Sequence, residues 1–176
     1  MVMYHPVTTE SNNRLRAETL LKVADRLDIP TLWFWPNHDA GTNEIAKAIR
    51  VYREQGKLKN NKIRFVTDVS PEIFVALLAK TKALVGNSSS GIKECSYFGV
   101  PTVNVGTRQQ GRMRGENVLD VGYGGAAIAS AIEKQLTHGP YKPSALYHRP
   151  NTSKKILETM LKFKGVDRPQ KKFYEI

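Results

Sequence analysis

The sequence predicts an α/β fold built on a doubly wound, Rossmann-like parallel sheet of about six strands. Short apolar runs alternate with longer amphipathic segments from the first residue onward, and this alternation is typical of a parallel sheet with helices on both faces. Proline or glycine follows most of the apolar runs and ends them. Neither an internal repeat nor a low-complexity linker divides the 176 residues, so we expect one domain over residues 1–176.

The composition favours a soluble, cytoplasmic protein with anionic partners. Hydrophobic residues make up 40% of the chain, and no apolar run approaches the roughly 20 residues that cross a bilayer. Nothing in the first residues resembles a signal peptide. The formal charge of +11, from 27 Lys and Arg against 16 Asp and Glu, makes phosphorylated ligands or polyanions the natural partners. The single cysteine, Cys95, is expected in the core.

The first part of the chain predicts three strands and two helices. The first strand ends at His5-Pro6 and the second ends at Pro36. Thr42 is expected to cap the second helix, because threonine is a favoured N-cap. The predicted strands are residues 2–4, 31–35 and Ile63–Val66. The apolar faces of the two helices are Leu15, Leu20, Leu21, Ala24 and Leu27 in the first, and Ile45, Ile49 and Tyr52 in the second.

The second part of the chain continues the alternation. Ser70, Pro71 and Glu72 form a strong helix start, with an N-cap serine, a proline in the first turn and an acid at the positive end of the dipole. The apolar face of this helix is Ile73, Phe74, Leu77 and Leu78. Further strands are predicted at residues 83–85, Thr102–Val105 and Val118–Val121, and further helices at residues 126–136 and 151–163.

The segment GNSSSGIKE, residues 86–94, is the strongest candidate for a functional site. It follows a buried strand and opens a short amphipathic helix. Three hydroxyls and a glycine in such a turn leave backbone N–H groups at the positive end of a helix, an arrangement suited to binding phosphate. The alternative is that Ser88, Ser89 and Ser90 only cap the helix, since serine is a favoured N-cap.

The expected strand order brings His5 to the same place. If the order is the common 3-2-1-4-5-6, the first and fourth strands are neighbours where the order reverses, and ligands bind outside the carboxyl ends of the strands at that point. His5 ends the first strand. The turn that contains Ser88, Ser89 and Ser90, called the serine turn below, follows the fourth. His5 can donate to a phosphate or exchange a proton near neutral pH, although a histidine that ends a buried strand is often only structural.

Other polar residues are expected at this edge of the sheet. Arg108 follows the fifth strand, and a guanidinium there can clamp a diphosphate with two hydrogen bonds. Glu94, in the first turn of the serine helix, favours the dipole and can also accept from ribose hydroxyls. The loop after the second strand contributes Asn37, His38 and Asp39, which turn chemistry explains equally well.

No metal site or cofactor is expected. The four histidines do not fall at metal-ligand spacing, and one cysteine cannot make a zinc site. Neither GxGxxG nor GxxxxGK[ST] occurs where a nucleotide cofactor would need it. Few carboxylates lie near the proposed crevice, which leaves proton abstraction there without an obvious base.

Four segments in this order resemble the UDP-N-acetylglucosamine 2-epimerases, most closely the hydrolysing branch that releases N-acetylmannosamine and UDP for sialic-acid-type sugars. The segments are HPVT at 5–8, PNHDAG at 36–41, GNSSSGIKE at 86–94 and GVPTVNVGTRQQGR at 99–112. The resemblance covers residues 2 to about 136. It implies the second half of a two-domain, glycosyltransferase-B-like enzyme whose active site lies between the halves.

The resemblance also implies roles at the matching positions. Ser88 and Ser89 look like the diphosphate ligands, Glu94 like the ribose ligand, and Arg108 like a further phosphate contact. His5 looks like the catalytic histidine that reaches the leaving group. The expected UDP contacts extend to Ser90, Gly91 and Asn37.

The chain is about half as long as such an enzyme. In the family, UDP is eliminated as a proton leaves C2 and water then adds, with carboxylate bases that come mainly from the first domain. We therefore expect this chain to bind UDP or UDP-N-acetylglucosamine, to need the missing N-terminal domain for turnover, and to be inactive alone. Residues 151–176 are expected to form a crossover helix and tail, whose exposed apolar side chains favour a homo-oligomer.

Two alternatives to the epimerase stay open. A glycosyltransferase donor domain of the same architecture would bind the nucleotide but transfer the sugar to an acceptor. A nucleic-acid-binding module is favoured only by the charge, because no aromatic stacking motif is interleaved with the basic residues.

Overall fold

The computed structural model describes residues 1–59, 61–163 and 165. The described chain folds into strands that alternate with helices, as the sequence predicts, and most bounds agree within one or two residues. The strands are β1 (Val2–Met3), β2 (Thr31–Phe34), β3 (Ile63–Val66), β4 (Leu84–Gly86), β5 (Thr102–Val105) and β6 (Val118–Val121). The helices are α1 (Asn13–Leu27), α2 (Thr42–Glu54), α3 (Pro71–Lys80), α4 (Ser89–Ile92), α5 (Glu94–Phe98), α6 (Gly125–His138) and α7 (Thr152–Lys162).

The strands form one six-stranded sheet in the order β3-β2-β1-β4-β5-β6. Every neighbouring pair is parallel, so the predicted doubly wound, Rossmann-like sheet is confirmed. The order reverses between β1 and β4, where Met3 lies opposite Gly86. The loops that follow β1 and β4 therefore leave the same edge of the sheet side by side, at the position where sheets of this kind bind ligands.

Each face of the sheet carries its own core, because successive side chains of a strand point to opposite faces. Val2 and Tyr4 pack with the buried sides of α1, α2 and α6 in the larger cluster. Met3, between them, packs on the other face with Leu78 of α3 and Cys95 of α5. Cys95 is fully buried, as predicted. The two cores fix the helices, and with them the loops that leave the carboxyl ends of the strands.

The β1 and β4 strands approach each other closely at Gly86. The residue has φ of +135°, a conformation that only glycine adopts readily. A Cβ atom at this position would lie 2.1 Å from the carbonyl oxygen of Met3. Glycine at the end of β4 therefore allows the two strand ends, and the loops beyond them, to meet.

Two expectations about the helix faces are wrong. Leu15 is 59% exposed and Ile73 is 53% exposed. Leu15 is two residues from the buried Ala17, which places it about 200° around α1. Ile73 is five residues from Leu78, the buried residue of α3, and therefore about 140° around that helix.

The starts of two helices also differ from the prediction. Gly41, with φ of +89°, is the N-cap of α2, and no side chain caps this helix. Thr42 lies inside the first turn, and its hydroxyl donates to the carbonyl of Asn37. The predicted serine helix is broken at Lys93 into α4 and α5, so Glu94 begins a separate helix. Ser70 caps α3 as predicted, and its hydroxyl accepts from Ile73 N–H at 3.4 Å.

Helix α7 has no buried residue. Its apolar side chains are exposed, and its role as a crossover helix stays a prediction. These side chains are Ile156, Leu157, Met160 and Leu161. The rest of the predicted tail, residues 164 and 166–176, lies outside the described residues. In the part of the chain that is described, no helix is long and apolar enough to cross a membrane.

Candidate functional site

Asn87 joins the ends of β1 and β4 in a pair of hydrogen bonds with His5. The N–H of His5 donates to the Asn87 side-chain oxygen at 2.7 Å, and the Asn87 side-chain amide donates to the His5 carbonyl at 2.8 Å. The backbone N–H of Asn87 donates to Met3 at 3.0 Å. Asn87 is fully buried, so all of these groups are satisfied away from water.

The same asparagine also binds the loop that follows β5. Its carbonyl accepts from the Arg108 guanidinium at 3.2 Å and from the Gln109 side-chain amide at 2.8 Å. His5, the serine turn and Arg108 are therefore assembled around one residue. Sequence analysis did not select Asn87, although its position directly after a buried strand and its glycine was a usable signal.

The His5 ring is neutral at neutral pH. Nδ1 accepts from the backbone N–H of Asn37 at 3.2 Å, so the ring proton of the neutral form is on Nε2. Burial lowers the pKa of His5 to about 4, and the nearby Arg108 adds to the shift while Asp39 opposes it. With this pKa the ring is neutral at neutral pH in the unliganded fold, and proton exchange by His5 stays a prediction. The Nε2–H group is a donor, not a base.

The serine turn is both capped and partly open. The Ser88 hydroxyl accepts from Ser90 N–H at 3.3 Å, so Ser88 is the N-cap of α4. Gly91 N–H donates to the Ser88 carbonyl at 3.2 Å. Within the described residues, no acceptor takes the backbone N–H of Ser88 or of Ser89. Two amides at the turn are thus available to an anion even though capping occurs.

Gly91 packs against the sheet rather than lining open space. A Cβ atom there would lie 2.7 Å from the Thr102 side chain and 3.1 Å from the Leu84 side chain. Glycine lets α4 lie directly on β4 and β5. Glu94 is exposed in the first turn of α5, and no contact among the described residues connects its carboxylate with His5 or Arg108.

Arg108 also pairs with Asp39 from the loop after β2. The guanidinium lies 3.3 Å from the Asp39 carboxylate, and the two side chains are 27% and 39% exposed. Both line a cavity of about 490 Å³ at the carboxyl edge of the sheet. The other lining residues come from 6–10 after β1 and from Thr107 and Gln110 after β5. This cavity is a polar cleft, and Arg108 connects it to Asn87 at the start of the serine turn.

Glu10 connects three loops at the far side of the cleft. Its carboxylate accepts from the Thr107 hydroxyl, from the Tyr123 hydroxyl at 2.7 Å and from Arg16. These hydrogen bonds, Thr107 first, lower the pKa of Glu10. Arg16 lies 3.8 Å from the centre of the Tyr123 ring. No sequence signal marked this cluster, because Thr107 and Tyr123 are 97 and 113 positions from Glu10.

Arg114 braces the loop after β5 from the opposite side. Its guanidinium lies 2.6 Å from the Asp120 carboxylate and donates to the Gln109 carbonyl at 3.1 Å. Asp120 also accepts from the Asn104 side chain at 2.6 Å. The Gln109 carbonyl is therefore held from the β6 side, one residue after Arg108.

Two other kinds of site, a metal centre and an apolar cavity, can be checked in the described residues. No group of three or more His, Cys, Asp or Glu side chains in the described ranges could hold a metal ion. A second cavity, of about 410 Å³, lies at the amino edge of the sheet. It is lined mainly by apolar side chains such as Leu27, Leu32, Leu77 and Ile132, and it contains none of the predicted site residues.

Comparison with known proteins identifies the family. The family model for UDP-N-acetylglucosamine 2-epimerase matches residues 1–161. The UDP-N-acetylglucosamine 2-epimerase of Neisseria meningitidis is 32% identical over 151 residues, which are 85% of this chain and 38% of the relative. The UDP-N,N'-diacetylbacillosamine 2-epimerase (hydrolyzing) of Legionella pneumophila is 29% identical over 161 residues, 91% of this chain and 41% of that one.

A solved structure gives the same answer for the fold. The UDP-GlcNAc 2-epimerase of Methanocaldococcus jannaschii, crystallised with UDP-GlcNAc and UDP, superposes with a TM-score of 0.69 at 15% identity. The match covers 92% of this chain and 45% of that one. The chain thus spans less than half the length of the relatives it matches.

The family match favours the epimerase interpretation over the glycosyltransferase and nucleic-acid alternatives. It covers both sides of the crevice, from β1 through β6 and into α7. The chain belongs to the UDP-N-acetylglucosamine 2-epimerase family.

Proposed function

We propose that this chain is the UDP-binding half of a hydrolysing UDP-N-acetylglucosamine 2-epimerase. The observation that carries the proposal is the assembly of His5, the serine turn and Arg108 around Asn87 at the reversal point of the sheet. Family membership supports a nucleotide sugar as the ligand. The enzyme would act in the cytoplasm and supply N-acetylmannosamine for a sialic-acid-type sugar.

We assign the diphosphate to the serine turn. The open N–H groups of Ser88 and Ser89 suit an anion at the start of a helix, and the hydroxyls of Ser89 and Ser90 add further donors. Arg108 supplies the compensating charge from the next loop. We assign Asn37 to the nucleotide as well and Glu94 to the ribose, while Gly91 contributes by letting the turn lie directly on the sheet.

We assign His5 to the leaving group. A neutral ring with its proton on Nε2 can donate to a phosphate oxygen as UDP departs. His5 is 2% exposed, so this donation requires neighbouring groups to move. Negative charge on a bound diphosphate also raises the pKa of a nearby histidine, which favours the protonated form in the complex.

Neither carboxylate that lines the cleft is free to take the proton at C2. Glu10 is paired with Arg16, and Asp39 is paired with Arg108. A carboxylate committed to an arginine is a poor base, because the pairing stabilises its ionised form. We therefore propose that a second domain supplies the base, and that this chain alone binds UDP weakly and turns over nothing.

Binding is tested by titrating the isolated chain with UDP and following its amide NMR shifts. Shifts are expected at residues 86–94 and 106–112. If those amides stay unmoved at millimolar UDP, the assignment of the crevice is wrong.

The reaction is tested with a chimera that joins this chain to the first half of the Legionella relative. With a UDP-sugar substrate and no acceptor, a hydrolysing enzyme releases free UDP, whereas a non-hydrolysing epimerase leaves the sugar attached to UDP. Release that depends on an added acceptor sugar would instead indicate a glycosyltransferase. The isolated chain, assayed in parallel, is expected to release none.

A further inference from the structure

Arg108 enters the cleft already paired on two sides. One terminal nitrogen donates to the Asn87 carbonyl at 3.2 Å, and the other donates to the Asp39 carboxylate at 3.3 Å. The first contact is to a buried backbone group that is part of the sheet edge. The second is to the Asp39 side chain, which belongs to a loop and is 39% exposed. The two contacts therefore differ in how easily they can be exchanged.

Asp39 accepts at an edge of the Arg108 guanidinium that also suits a phosphate oxygen. Arginine recognises carboxylate and phosphate with the same N–H groups and the same planar geometry. A diphosphate that uses the outer edge of the Arg108 guanidinium competes with the carboxylate for that edge. In the described chain Asp39 has no ion-pair partner other than Arg108, and both residues line the cleft.

We propose that Asp39 is a resident counter-ion of Arg108 that a nucleoside diphosphate must displace, so that Asp39 lowers the affinity of the crevice for anions. This inference rests on the proposed function and adds a specific competitor to it. The Asn87 contact holds the guanidinium in the crevice during the exchange, so the arginine changes one partner and keeps the other.

The opposite role is that Asp39 orients Arg108 for the ligand. The two roles predict opposite effects of removing the carboxylate. A competitor, once removed, leaves Arg108 free and binding becomes tighter. An orienting partner, once removed, leaves Arg108 less well placed and binding becomes weaker.

The test compares UDP affinity in the wild-type chain, Asp39→Asn and Asp68→Asn, by NMR titration at fixed salt. Asp68 is an exposed acid just after β3. Among the described residues its side chain accepts from the adjacent Val69 N–H alone, so Asp68→Asn removes the same charge away from Arg108. We expect Asp39→Asn to bind UDP about twofold to fivefold more tightly, the range for an ion pair this exposed. Asp68→Asn is expected to match the wild type, and uridine, which lacks phosphate, should bind all three equally.

An unchanged or weaker UDP affinity in Asp39→Asn, with the wild type binding, would overturn the inference. Equal tightening in Asp68→Asn would also overturn it, because the effect would then be the net charge alone. Asp39→Ala repeats the test if Asp39→Asn does not fold. Failure of the wild type to bind millimolar UDP would instead refute the proposed function, and this inference with it.

Discussion

Asn87 and His5 exchange two hydrogen bonds, of 2.7 and 2.8 Å, across 82 positions of sequence. The exchange satisfies both backbone groups of His5 with one side chain, at the point where the strand order reverses. Because the Asn87 carbonyl also accepts from Arg108 and Gln109, the residue is both part of the fold and the centre of the site.

Asn87→Ala should therefore lower the free energy of unfolding substantially. It leaves the His5 N–H and carbonyl buried without partners, and each such group costs about 1–3 kcal/mol. We expect a loss of about 2–4 kcal/mol in the free energy of unfolding, measured by urea titration. Asn43→Ala, at an exposed position in α2, should change it by less than about 0.5 kcal/mol. A loss below about 1 kcal/mol for Asn87→Ala would contradict this account.

Gly86→Ala tests the close approach of β1 and β4. The added Cβ would meet the Met3 carbonyl oxygen at 2.1 Å, in a backbone conformation with φ of +135°. Neither strand end can move without breaking the sheet, so we expect a loss above about 3 kcal/mol or no folding at all. Gly122→Ala is the matched control, since a Cβ there has no neighbour within 4 Å. Circular dichroism melts of both variants measure the difference.

The sheet was predictable because its cause is local. Apolar runs of strand length between amphipathic segments, with proline or glycine after them, determine which residues are strands, and the parallel order follows from known connection rules. The same order placed His5, the serine turn and Arg108 at one edge before any contact was known. The strand order alone was therefore enough to predict which loops lie at that edge.

The contacts inside the site were not predictable from the sequence. Asn87, Glu10 and Asp39 act through partners far along the chain, and no periodicity reports such pairs. The low pKa of His5 depends on burial and on Arg108, which only the packed structure supplies. No sequence pattern marked the break at Lys93 that separates Glu94 from the serine turn.

Glu10→Gln tests the cluster that joins the loops after β1, β5 and β6. The change removes the charge that holds Arg16 and weakens the hydrogen bonds from Thr107 and Tyr123. Because hydrogen bonds are weakened, we expect the free energy of unfolding to fall by about 1–2 kcal/mol. Because Thr107 directly precedes Arg108, we also expect the affinity for UDP to be several-fold weaker.

Glu18→Gln is the matched control for the Glu10 variant. It removes an exposed helical ion pair with Arg14, at 2.9 Å, that is worth less than about 0.5 kcal/mol. Equal effects of the two substitutions would show that the Glu10 cluster has no special role.

The depressed pKa of His5 predicts an acid-sensitive fold. Between the unfolded pKa of about 6.5 and the folded value of about 4, the unfolded chain binds a proton that the folded chain does not. Stability is therefore fully present above pH 6.5 and falls as the pH drops through this window, by up to about 1.4 kcal/mol per pH unit. The loss from this residue reaches about 3 kcal/mol near pH 4.

His5→Asn isolates that contribution, because an asparagine oxygen can replace Nδ1 as acceptor for Asn37 N–H without titrating. Urea titrations of both proteins between pH 7 and pH 4 should give a shallower pH dependence for the variant, whatever its absolute stability. His38→Asn, at an exposed histidine in the next loop, is the matched control substitution. Parallel slopes for the wild type and His5→Asn would mean that the pKa of His5 is the same in the folded and unfolded chains, and that burial does not depress it.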